Sequence, residues 1–201
     1  RHLRDIRFPV VMLYRTPPIG IDIPYVVIEN QKGAFEITKL LIQCGRRRIA
    51  FLSGPEGNED SHWRHIGYKE ALFKHELVYD ESLIGKGGFT EECAYKQTKK
   101  WLDVELDFDA VFAGADDAAL GVLVALRERK LRIPEDVSVV GFDDIPLARH
   151  LTPPLTTVRA PIEEAGRETV RKLVQLITGQ TVESKTVLPV EVIRRGSCRV
   201  T

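Results

Sequence analysis

FDAVFAGADDAALGVLVALRERKLRIPEDVSVVGFDDIPLARHLTPPLTTV, residues 108–158, is the stretch on which the fold turns. An apolar strand over residues 110–113 leads through Gly114 and Ala115 into a helix opened by Asp116 and Asp117. A proline-bounded loop follows, then a second apolar strand over residues 137–142 that ends on Asp143 and Asp144. Strands separated by a helix favour a parallel sheet, because parallel neighbours need a long crossover. In open α/β sheets ligands bind beyond the carboxyl ends of the strands. Each strand brings an acidic pair to that edge, so the stretch predicts a scaffold and a candidate site together.

Composition narrows the function classes. A chain of 201 residues has room for one large domain or two small ones. Lys+Arg 29 balances Asp+Glu 29, so no overall basic charge draws this chain to nucleic acid or to an acidic membrane. Contact with DNA would need another segment. Cys44, Cys93 and Cys198 are far apart and odd in number, fitting neither a disulfide framework nor a metal-ligand spacing, and read as reduced thiols of a cytoplasmic protein. No apolar run is long enough to span a bilayer, and the arginine-rich start is not followed by a secretory apolar region.

Working outward, residues 8–14 form a nearly continuous apolar run of the kind buried on both faces of a sheet, delivering Tyr14 and Arg15 at its end. Prolines make residues 16–24 a loop, and residues 25–28 a second strand. Asn30 reads as the cap of a helix over residues 33–44 with Ala34, Ile37, Leu40, Leu41 and Cys44 on one face. A buried strand over residues 49–52 closes on Ser53-Gly54-Pro55, and Ser61 is the expected cap of the next helix, with Arg64 in its first turn. Phe89 falls at a strand-to-helix junction, where a core aromatic is less expected, and Thr90 caps the helix after it. Pro161 starts a further helix, and residues 187–193 read as one closing strand.

Several chemistries are set aside at this level. Glu59, Asp60, His62 and His65 share a polar helix entry without further ligands at metal spacing, so neither metal nor cofactor is expected. Gly85-Lys86-Gly87-Gly88 lacks the hydroxyl residue of a phosphate loop, and Ser53 and Ser61 have no nucleophile-elbow context. No nucleophile, base and orienting group converge, so the chain is not expected to be an enzyme. Asp116 reads mainly as a cap for its helix, and Asp144 as a loop-stabilising acid. The helix itself is apolar all round over residues 118–126, where a surface helix keeps a polar face. A two-fold partner covering Leu120, Val122, Leu123 and Val124 is the simplest explanation, burial within its own lobe the alternative.

Six motifs occur in order: N-x-x-G-A at residues 30–34, CGRRRIAFLSGP at 44–55, R-x-x-G-Y-x-x-A-L at 64–72, VFAGADDAALG at 111–121, IPEDVSVVGFDD at 133–144 and PPLTTV at 153–158. Together they resemble the effector-binding core of the lactose/galactose repressor family of bacterial transcription regulators, over essentially the whole chain. The resemblance implies an α/β, two-lobed, periplasmic-binding-protein-like fold, with parallel sheets flanked by helices and the amino-terminal lobe incomplete. The chain would cross between lobes three times. Residues 1–29 and 160–186 would belong to the amino-terminal lobe, residues 30–159 and 187–201 to the carboxyl-terminal lobe.

The resemblance also implies a homodimer that meets operator DNA through a helix-turn-helix headpiece not included here, with no membrane partner. A small effector (sugar, sugar phosphate or sugar acid) would lie between the lobes. Arg64 matches the family's forked donor, Phe89 its stacking aromatic and Asp143 its hydroxyl-binding acid, while Tyr14 and Arg15 fall where the other lobe reaches the ligand. Ala115 stands where the family often has Asn, and Tyr14 where it commonly has an acid, a loss that points to an anionic effector. A periplasmic sugar receptor of a transporter, which shares this fold, is the rival function.

Overall fold

The computed structural model describes residues 8–199; residues 1–7 of the predicted amino-terminal lobe, and 200–201, lie outside the described residues. The chain divides into two compact units. The smaller comprises Arg1–Glu29 and Pro161–Val190, the larger Asn30–Ala160 and Glu191–Thr201.

The larger unit is built on β3 (Ile49–Ser53), β4 (Ile84–Lys86), β5 (Ala110–Ala113) and β6 (Ser138–Val140), a parallel sheet in the order β4-β3-β5-β6. Its helices are α1 (Asn30–Gln43), α2 (Glu59–Lys74), α3 (Glu91–Asp103) and α4 (Asp116–Glu128). They pack in pairs, α1 with α2 and α3 with α4. Side chains alternate along a strand, so each face of the sheet meets its own pair. Phe51 stacks on Tyr68 of α2, and the Tyr68 hydroxyl donates to Ile49 O at 2.7 Å. Ala50, Leu52, Val111 and Ala113 turn the other way, into a core with Ala94, Trp101, Ala118, Val122 and Leu126. Each fully buried large side chain contributes about 1.5–3 kcal/mol. Beyond β6, β7 (Thr157–Arg159) runs antiparallel to β9 (Glu191–Ile193), joined to the sheet edge by bridges from Val140 to Thr156 and from Asp143 to Arg159.

In the smaller unit, β1 (Met12–Leu13), β2 (Tyr25–Ile28) and β8 (Lys185–Leu188) form a parallel sheet in the order β1-β2-β8, against which α5 (Ile162–Ile177) packs. Lys172 of α5 is fully buried, its Nζ donating to Glu183 O at 2.6 Å.

Four local expectations are corrected. Residues 8–14 are not a doubly buried strand: two residues pair, at the sheet edge, and Phe8 is 59% exposed. Residues 187–193 are two strands, because Pro189 interrupts the ladder and β8 pairs with β2 of the smaller unit. Helix α1 begins at Asn30 itself. Helix α2 is capped by Asn58, whose side chain accepts from Ser61 N–H at 2.9 Å, which moves Arg64 into the second turn.

Candidate ligand site at the carboxyl edge of the larger unit

Arg64 is the centre of this edge. Its side chain is 5% exposed. Nε donates to Asn30 Oδ1 at 2.8 Å, Nη1 to the Gly114 carbonyl at 2.6 Å, and Nη2 to Asp143 Oδ1 at 3.4 Å. The guanidinium carbon lies 3.7 Å from the centroid of Phe142 and 5.3 Å from that of Phe89. A stacked, desolvated cation of this kind is worth about 2 kcal/mol per aromatic face. Asn30 in turn donates from Nδ2 to Asp60 Oδ1 at 2.8 Å. Asn30 at the start of α1, backed by Asp60 of α2, thus helps fix the Arg64 cation over the ends of β5 and β6.

Phe89 sits just before the Thr90 cap of α3, at φ +60, a conformation that costs a bulky residue energy and is held here by surrounding structure. Its ring lies on the backbone after β3: a Cβ on Gly54 would be 2.3 Å from the ring. Only glycine there admits the aromatic.

The two acidic pairs separate. Asp143, at φ +117, keeps its side chain 26% exposed beside Arg64. Burial pushes its carboxyl up to about 6; Arg64 pulls it down, while Asp60 and Asp117 push it up. Asp144 is turned away and accepts from Arg159 Nε at 2.8 Å and Arg195 Nη2 at 2.6 Å. Burial raises its pKa, but the bonds from Arg195 and Arg159 outweigh this and hold it below the usual carboxylate range. Asp144 is therefore the loop-stabilising acid expected. Asp116 is not the helix cap expected. The cap position is Ala115, without a side-chain bond, and Asp116 is wholly buried, accepting from Thr157 Oγ1 at 2.5 Å and Ile145 N–H at 2.9 Å. Burial raises its carboxyl to about 7, against those two hydrogen bonds and with help from Asp143 and Asp144. A Cβ on Gly141 would lie 2.1 Å from Asp116 Oδ1, so glycine makes room for this strut.

Among the predicted site residues, Arg64, Phe89 and Asp143 come together. Tyr14 and Arg15 belong to the smaller unit: Tyr14 follows β1 at φ +57, its N–H donating to Val26 O at 2.9 Å, and Arg15 is exposed. Asn30 and Asp60 were missed, the first read as a cap and the second as a solvated helix entry; no residue pattern in sequence signals their bonds to a partner 34 or 30 positions away.

The predicted partner surface on α4 needs correction. Val122 and Leu123 are 0% and 1% exposed, inside the unit's own core. The helix is apolar all round because the sheet covers one side and α3 the other: a Cβ on Gly121 would be 2.1 Å from the Glu91 carbonyl oxygen of α3's first residue. Val124, 38% exposed, and half-buried Leu120 remain reachable. Among the described residues no helix is long and apolar enough to cross a membrane, and no cluster of metal-ligating side chains is present.

Comparison with known proteins now adds to this geometry. Residues 38–198 match the family model described as a periplasmic binding protein-like domain. The HTH-type transcriptional regulator CelR of Thermobifida fusca is 42% identical over 177 residues, covering 87% of this chain and 52% of that protein. The HTH-type transcriptional repressor CytR of Escherichia coli K12 is 37% identical over 192 residues, covering 95% and 56%. The chain spans about half the length of these curated relatives. A solved transcriptional regulator CelR–cellobiose complex superposes with a TM-score of 0.91 at 40% identity, covering 97% of this chain and 60% of that one. The chain belongs to the periplasmic-binding-protein-like family and, within it, to the LacI family of transcriptional regulators.

Proposed function

We propose that the chain is the effector-sensing core of a bacterial transcription regulator, most simply a cytoplasmic repressor. It binds a small sugar or sugar derivative and thereby controls DNA binding by a helix-turn-helix domain of the same protein. The observation that carries this reading is the Arg64, Asn30 and Asp143 cluster beside the Phe89 ring. It offers hydrogen-bond donors, an acid acceptor and an aromatic face, the set a polyhydroxy ring requires. Tyr14 and Arg15 are the proposed contacts from the smaller unit. Relatives named as regulators favour this function over a transport receptor.

Effector binding works by differential affinity for two states, so it raises or lowers DNA affinity according to the state it prefers. The test is fluorescence anisotropy of the full-length protein on an operator selected from random DNA. A sugar should change the operator Kd by roughly tenfold or more; an operator affinity indifferent to every mono- and disaccharide contradicts the proposal. A homodimer is part of the same proposal, with Leu120 and Val124 as the outward apolar groups of α4. Sedimentation of the full-length protein as a monomer alone would remove that part.

A further inference from the structure

We propose that Arg159 is a positioning residue that couples effector binding at Asp143 to the strands on which the chain leaves and re-enters the larger unit; this rests on the sugar-sensing function proposed above and names how that site is read. The chain passes between its two units after Glu29, after Ala160 and after Val190. Arg159 and Glu191 stand at the second and third of these passages, paired opposite each other at the end of the β7–β9 ribbon. Asn30 stands at the first and accepts from Arg64.

The turn formed by Asp143 and Asp144 is tied to the second passage through both main chain and side chain. Asp143 N–H donates to Val158 O at 2.7 Å, and Ala160 N–H donates back to Asp143 O at 3.3 Å, so the main chain of the acid brackets Arg159. The Asp144 carboxylate, its side chain 2% exposed, accepts from Arg159 Nε at 2.8 Å. From the same guanidinium, Nη1 donates to Glu191 Oε2 at 3.1 Å. One planar fork thus joins the turn that carries Asp143 to the residue on which the chain returns from the smaller unit. Arg195, just past β9, completes the hold, with Nη2 donating to Asp144 Oδ1 at 2.6 Å and Nη1 to Leu155 O at 2.8 Å.

The turn itself is strained. Asp143 and Asp144 adopt φ +117 and +58, consecutive positive values without a glycine. Such conformations persist only where surrounding contacts over-determine them, and they concentrate at ligand clamps and switches. Asp143 keeps a carboxyl open to an effector, whereas the closed-off Asp144 carboxyl is gripped by the two arginines. A ligand shifts an equilibrium only by preferring one arrangement of such an element. An effector that binds Asp143 better in one arrangement of the turn therefore favours one placement of Arg159 and Glu191, and of the strands that carry them. Arg159 acts through Asp144 rather than on the ligand.

Fluorescence anisotropy of the full-length protein on its selected operator tests this with glucose, ribose and cellobiose, taking forward whichever of the three shifts the operator Kd most. The readout is the ratio of operator Kd with and without saturating sugar, which a mere loss of sugar affinity leaves unchanged. The unsubstituted protein should show a ratio of about tenfold or more and Arg159→Gln about threefold or less, while calorimetry finds the sugar Kd within about threefold of the original. Glu191→Gln should lower the ratio in the same direction. It also covers the case in which Arg159→Gln fails to fold, because the Glu191 side chain is 68% exposed and its loss leaves no buried charge unpaired. Arg159→Lys, which keeps the charge but not the fork, should recover part of the ratio. Ratios that stay at the unsubstituted value in both Arg159→Gln and Glu191→Gln overturn the inference and leave the sugar-sensing function standing. A sugar Kd weakened beyond the threefold limit by Arg159→Gln also overturns it, by placing Arg159 in the binding site itself. If none of the three sugars alters operator affinity, the sugar-sensing function falls and the inference with it.

Discussion

Asp116 and Asp144, each from one of the two acidic pairs, sit at neighbouring strand ends with side chains closed off from solvent, Asp116 the more deeply, yet their charge states diverge. Asp116 is met by a hydroxyl and a backbone N–H and is raised to about 7. Asp144 is met by two guanidiniums and is held below the ordinary carboxylate range. Burial alone penalises both ionised forms; the charge of the partner decides which acid stays ionised. Asp143 lies between these extremes, with one arginine at 3.4 Å and a side chain still reachable by solvent. It is the acid proposed to face a ligand.

The comparison can be broken in several places. Asp144→Ala leaves Arg195, whose side chain is 14% exposed, beside an empty position; removing one member of a buried pair should lower stability by about 3 kcal/mol. Urea denaturation reads this, and a loss below about 1 kcal/mol would class the pair with solvent-screened surface bridges. Gly141→Ala pushes a methyl against Asp116 Oδ1 and should cost about 2 kcal/mol. Adding Asp116→Ala should relieve part of that loss, a coupling a double-mutant cycle detects. Phe89→Ala removes the proposed stacking face and should weaken saccharide binding about tenfold, alongside a stability loss of about 2 kcal/mol from the lost contact with Arg64.

Titration sharpens the same contrast. The Asp116 carboxyl binds its proton more tightly folded, at about 7, than in the unfolded chain. Its contribution is therefore most favourable below about pH 4 and declines as pH rises through the folded value. Asp116→Asn removes that dependence. The stability difference should move in the variant's favour by about 1 kcal/mol or more between pH 4 and 7, then level off. A difference that does not vary with pH would mean that Asp116 is already ionised in the folded protein.

The sheet was legible because its strands are short apolar runs bounded by glycine and proline, as at residues 49–53 and 110–113. Arg64, Phe89 and Asp143 were legible through motif resemblance, each standing at a strand end or early in the following helix. What stayed hidden depends on partners far along the chain. Asp116 looked like a cap because it opens a helix, whereas Thr157 and Ile145, 41 and 29 positions away, determine its role. The all-round apolar α4 looked like a partner surface because a single helix pattern does not reveal that α3 lies across it. The run over residues 8–14 misled for the opposite reason: apolar composition was present, but β1 is an edge strand with few neighbours.

The measurement closest to the central claim is the affinity of a bound saccharide for Asp143→Asn against the unsubstituted protein across pH. Asparagine tolerates the positive φ and preserves shape, so stability should hold within about 0.5 kcal/mol. Affinity at pH 7 should fall about tenfold, and the two proteins should converge as pH drops below about 6, where the Asp143 carboxyl takes up its proton. Equal affinities at pH 7 would contradict Asp143 as the ligand-facing acid, and with it the placement of the effector at this edge.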